Sequence, residues 1–136
     1  MKIMVTGSRY WADEAAVRSA LLAATGGYPA EASLYVGDCP TGADHIAADW
    51  WLSMAGENSL HVVRARGDRS YQKLARNQLL VDNMPDVVLG FVLYGPGMSR
   101  GTHDTLNRAR EAGLTLVVQE RPAPADLVNI HRAWHG

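Results

Sequence analysis

Five short apolar runs alternate with segments of helical period along the first 120 residues, and that alternation constrains the fold more than any other feature. The runs are Ile3–Val5, Leu34–Val36, Leu60–Val63, Val87–Val92 and Leu114–Val118. They are rich in β-branched residues and apolar on both faces, the signature of strands buried between two helix layers. Between them the 3.6-residue period returns. Val17, Ala20, Leu21 and Ala24 form one stripe, Ala47, Trp50, Trp51 and Met54 a second, and Leu106, Ala109 and Gly113 a third that begins after Gly101-Thr102. The segment from Tyr71 to Asp82 is less regular, because its Leu74–Val81 stripe holds Asn77 and Gln78 where packing alone would place leucine.

Strands alternating with helices predict an α/β fold, a three-layer Rossmann-like, doubly wound sheet of about five mainly parallel strands with helices on both faces. No repeat or low-complexity stretch divides residues 1–120, which form one expected domain. The remainder, 121–136, reads as an extension: Arg121-Pro122-Ala123-Pro124 as a stiff connector, then a short helix over Ala125–Trp134. Leu127, Ile130 and Trp134 would share one side of that helix, packed on the domain or on a second copy. Trp50, Trp51 and Trp134 fit either a dimer contact or the core.

Composition narrows the function. Lys plus Arg is 13 and Asp plus Glu is 14, a formal net charge of -1 that lacks the basic surplus of a duplex-binding protein. Nucleic acid is therefore not the expected partner. A single cysteine, Cys39, points to a reducing compartment, and the apolar run after Lys2 is too short for a signal peptide or a membrane span, so a cytoplasmic protein is expected. Cys39 itself reads as a small buried residue or as a nucleophile beside a helix start. His45, His61, His103, His131 and His135 show no zinc-ligand spacing, and no G-x-S-x-G elbow is present.

In doubly wound sheets ligands bind beyond the carboxyl ends of the strands, which directs attention to three loops. Gly7-Ser8-Arg9 follows the first run and offers close backbone approach, a hydroxyl and a planar cationic fork. Gly37-Asp38-Cys39-Pro40-Thr41-Gly42-Ala43-Asp44 follows the second. Thr41 and Asp44 have the spacing of a capping box, and the same helix start suits a phosphate; Asp38 and Asp44 alternatively suit sugar hydroxyls or a hydrated cation. The third loop, Tyr94 to Thr105, places three glycines before Thr102 at a helix start, a second candidate anion nest. Neither a Walker A loop nor a G-x-G-x-x-G fingerprint is present. Trp11 fits equally a base-stacking role or a cap on the sheet end.

Taken in order, Gly7-Ser8-Arg9 with Trp11 and Asp13, Gly37 with Thr41-Gly42-Ala43-Asp44, Ala75-Arg76-Asn77, and Gly101-Thr102 before Asp104-Thr105 resemble the YspA-like (cpYpsA-related) branch of the SLOG superfamily. That superfamily is Rossmann-like, includes the lysine-decarboxylase-like LOG phosphoribohydrolases, and has DprA as a more distant member. The resemblance runs from about residue 2 to residue 118. It implies a nucleotide or nucleotide-derived ligand held by Gly7, Ser8, Arg9, Gly37, Thr41, Gly42, Asp44, Arg76, Asn77, Gly101 and Thr102, in a protein that is often dimeric. Mg²⁺ accompanying a nucleotide phosphate is the one cofactor left open. Two departures bear on activity. LOG enzymes carry P-G-G-x-G-T-x-x-E, whereas Thr105 stands at the Glu position and Pro96-Gly97 is separated from Gly101-Thr102. Lys73-Leu74-Ala75 replaces the Ala-Gly-Pro usual before Arg-Asn in the branch. A sensing or sequestering protein is the first expectation. A nucleotide-processing hydrolase using Asp104, Asp44 or Asp38, with Arg76, is the alternative.

Overall fold

A computed structural model describes residues 1–125. The strands are β1 (Lys2–Gly7), β2 (Ser33–Gly37), β3 (Leu60–Val63), β4 (Val87–Tyr94) and β5 (Leu116–Pro122), and the helices α1 (Glu14–Ala24), α2 (Gly42–Ala55), α3 (Ser70–Asp82) and α4 (Arg100–Glu111). All strands are parallel, in the order β3-β2-β1-β4-β5. The Rossmann-like α/β architecture is thus present, and the order reverses at β1, which lies between β2 and β4.

Period-two alternation along the central strands builds two separate cores. Ile3, Val5, Leu34, Val36, Leu89 and Phe91 pack with Val17 and Leu21 of α1 and with Ala43, Ala47 and Trp51 of α2. Met4, Val88 and Val92 pack on the other side with Leu80 and Val81 of α3 and Leu106 and Ala109 of α4. Trp51 is wholly core, its Nε1 donating to Ser59 Oγ at 2.9 Å. Among the described residues no helix is long and apolar enough to cross a membrane.

Several boundaries and burials differ from the sequence reading. β5 begins two residues later than the Leu114–Val118 run and continues through Arg121 and Pro122, which pair with Leu93 and Tyr94. An edge strand exposes polar side chains freely, so Gln119–Arg121 carried no apolar signal. β3 is the other edge, and its Val62 is exposed rather than sandwiched. Met54 and Leu74, assigned to apolar stripes, are both exposed. α4 starts at Arg100, before Gly101-Thr102, and ends at Glu111, leaving Gly113 outside the helix. The helix expected over Ala125–Trp134 lies beyond the described residues apart from its first position.

Candidate functional site

Because every strand is parallel, all strand-to-helix connections emerge at one end of the sheet. There a cleft of about 600 Å³ opens between the β1–α1 and β4–α4 connections, walled by α3 and the start of α2. Its position at the strand-order reversal is the usual ligand site of an open α/β sheet.

The β1 side is fixed by backbone. Ser8 N donates to Phe91 O at 2.9 Å, continuing the β1–β4 pairing past Gly7. A Cβ at Gly7 would overlap Ala43, so only glycine lets α2 come this close. Gly42, at φ +77, presses on the Ser8 carbonyl and the Arg9 backbone, and Ala43 N donates to Ser8 O at 3.3 Å. Thr41 Oγ1 donates to Arg9 O at 2.9 Å and makes no cap bond. The capping box expected from Thr41 and Asp44 therefore does not form. The hydroxyl ties the start of α2 to the β1 loop, and Asp44 turns inward.

Asp44 is the electrostatic centre of the wall. It is 8% exposed, and its Oδ1 has no hydrogen-bond partner. Burial pushes the carboxyl up to about 7, against the charge of Arg76 and the Gly7 amide; the charge of Asp38 adds to the rise, and the Gly37 amide opposes it. The nearby guanidinium is committed elsewhere: Arg76 Nη1 donates to Asp38 Oδ1 at 2.5 Å, and Nε and Nη2 donate to Asn77 Oδ1 at 3.3 and 3.2 Å. Burial acts to raise Asp38 too, but the Arg76 bond and charge, with the Asp38 and Ala65 amides, hold it below the ordinary carboxylate range. Two carboxyls share one guanidinium, and Asp38 takes it.

Asn77, the misfit of the α3 stripe, is buried and joins two helices. Its Nδ2 donates to Asp104 Oδ2 at 3.1 Å and to Gly101 O at 3.5 Å, which positions the start of α4. There Ser99 adopts a left-handed conformation (φ 58, ψ 31), pinned as its Oγ donates to Leu93 O at 2.9 Å and accepts from Leu93 N at 3.1 Å. A non-glycine residue held this way is strained, a feature that clusters at ligand sites. His103 N is the first α4 amide bonded within the helix, to Ser99 O, so the amides of Arg100, Gly101 and Thr102 precede the intrahelical ladder.

The cleft thus gathers Gly7, Ser8, Arg9, Asp44, Arg76, Asn77, Gly101 and Thr102. Gly37, Thr41, Gly42 and Asp104 are not on its wall. Gly37 packs against Asp44 and Arg76 from behind, and Asp104 is held by Asn77 and by Arg108 Nε at 2.8 Å. Thr105 does face the cleft, but its Oγ1 donates to Gly101 O at 3.0 Å. Trp11 is core: 3% exposed, edge-on to Phe91 with centroids 5.2 Å apart, and covered by the Arg121 guanidinium. Cys39 is half-buried on the cleft wall rather than fully enclosed.

Two cleft cations escaped the sequence reading. Lys73 lies one helical turn before Arg76 and Asn77, and Arg100 immediately precedes Gly101-Thr102, so both spacings carried the signal. Neither Lys73, Arg100 nor Arg9 forms an ion pair among the described residues. No three His, Cys, Asp or Glu side chains converge there as a metal site.

The family model of the YspA, cpYpsA-related SLOG proteins (YAcAr) matches residues 1–71. The chain belongs to this family. The match spans β1 to the first turn of α3, so it takes in both glycine loops at β1 and β2 of this SLOG protein but not the α4 start. No curated protein and no solved structure matches the chain.

Proposed function

We propose that this SLOG-family chain binds a nucleotide or nucleotide-derived ligand in the cleft, as a sensor or sequestering protein. One observation carries the reading: Arg9, Lys73 and Arg100, three cations without carboxylate partners among the described residues, face a single cleft at the strand-order reversal, beside the first amides of α4. Helix-start amides and unpaired guanidinium groups together favour a phosphate there. Arg76 contributes orientation rather than net charge, since Asp38 neutralises it. Family membership supports a nucleotide-related Rossmann-like domain.

A hydrolase is the second reading, and Asp44 is the observation in its favour. A cleft-wall carboxyl that keeps its proton up to about pH 7 is suited to general acid catalysis at neutral pH. Asp104 and Thr105 are poorer candidates, because both are occupied by neighbours on α3 and α4.

Thermal unfolding with mono-, di- and cyclic nucleotides, NAD and ADP-ribose, with and without Mg²⁺, followed by product analysis, tests both. A stabilising ligand recovered intact is expected. Recovery of cleaved ligand, lost in Asp44→Asn, moves the conclusion to the hydrolase, and silence across the panel overturns both.

A further inference from the structure

Exposed cations cluster at one end of this molecule, beside the exposed carboxylates of Asp13, Asp68 and Glu120. The end of the sheet that holds the cleft also carries Arg9, Arg64, Arg66, Arg69, Lys73 and Arg100, all exposed and none in an ion pair among the described residues. The opposite end carries Glu31, Glu57, Asp82, Asp86 and Glu111 together with Lys2, Arg108 and Arg110.

Only Arg9, Lys73 and Arg100 line the cleft. The other three lie on the connection between β3 and α3, which rims it: Ala65 N donates to Asp38 Oδ2 at 3.3 Å, and Asp38 holds the cleft-wall Arg76. A ligand of ordinary small-molecule size is accommodated within about 600 Å³ and does not reach Arg64, Arg66 and Arg69, three cations against the single carboxylate of Asp68 on this connection.

Exposed tyrosines stand among these cations. Tyr10 lines the cleft, Tyr94 ends β4, and Tyr71, 66% exposed, lies in the first turn of α3, one turn before the cleft-lining Leu74. None of the three belongs to either core cluster, so packing does not account for them. Cations interleaved with exposed aromatic rings form a surface on which bases stack and phosphates are neutralised.

We infer that the ligand continues out of the cleft by a second nucleotide unit, its phosphate against Arg66 and Arg69 and its base on Tyr71. This rests on the nucleotide reading of the cleft. A dinucleotide and a single strand share the required chemistry, a further phosphate followed by a further base.

Calorimetric titration of the full chain with four probes tests the inference: AMP, ATP, 5′-phosphorylated ApA, and a twelve-residue oligo-dA strand. The dinucleotide is expected to bind about tenfold tighter than AMP, within the range that base–aromatic stacking supplies. Tyr71→Ala and Arg69→Ala should each erode that gain while leaving AMP affinity unchanged. ATP, which adds phosphate without a base, should be insensitive to Tyr71→Ala. A strand tighter than the dinucleotide identifies a strand as the ligand, and equal affinity identifies a dinucleotide. AMP binding with no dinucleotide gain, or a gain that survives Tyr71→Ala, overturns this inference alone. Failure of all four probes overturns the cleft reading with it.

Discussion

Replacing Asp44 by Asn should stabilise the protein above neutral pH, an unusual outcome for a buried polar residue. In the unfolded chain this carboxyl ionises at its ordinary 3.8, whereas in the fold burial holds its proton to about 7. The raised value makes ionisation costly to the folded state. Stability is unaffected below pH 3.8, falls as pH rises from there to about 7, and is level beyond. The slope reaches about 1.4 kcal/mol per pH unit, and the full interval corresponds to a ceiling of about 4 kcal/mol. Asp38 acts in the other direction and another window: its lowered value stabilises the fold above pH 3.8, and that contribution is lost as pH falls through its folded-state value. Denaturant unfolding of wild type and Asp44→Asn between pH 4 and 9 separates the two. The wild-type profile should descend towards pH 7 while the variant loses that descent, so the difference grows with pH. Parallel profiles would mean that Asp44 is ionised in the fold, and the electrostatic account of the cleft would be wrong.

Three further substitutions probe the scaffold by denaturant unfolding. Gly42→Ala adds a Cβ that overlaps the Ser8 carbonyl at φ +77, so a loss of more than about 1 kcal/mol is expected; a neutral result would show that the two loops are not locked together. Trp11→Ala should cost about 3–5 kcal/mol as a core deletion beside Phe91, and a loss below about 1 kcal/mol would return Trp11 to a surface role. Asn77→Ala removes the donor to Asp104 and Gly101 O and should cost about 1–3 kcal/mol, with amide exchange accelerated at the start of α4. Unchanged exchange there would mean that Asn77 does not position that helix.

The fold was legible because β-branched runs and helical stripes are local signals, and each central strand is apolar on both faces. The misplaced edges have the same origin: β5 and the outer face of β3 are solvated, so Gln119–Arg121 and Val62 follow a different rule from Val87–Val92. Individual cleft-lining residues were legible through glycine placement and the polar break at Asn77. Their arrangement was not. Thr41 and Asp44 obey a local capping pattern that tertiary contacts override, with Arg9 O capturing the hydroxyl and burial capturing the carboxylate. The pairing of Asp38 with Arg76 joins residues far apart in the chain, and nothing local announces that Asp44 is left without a counterion.

The most direct test of the central claim is AMP-dependent unfolding of wild type beside the Arg9→Ala/Arg100→Ala double variant. The account predicts that AMP at a hundredfold excess over its Kd stabilises wild type by about 2.7 kcal/mol. The variant, exposed at both positions and folded in the absence of ligand, should lose most of that gain at the same concentration. An equal gain in both proteins, or none in either, would contradict the assignment of this cleft as the anion-binding site.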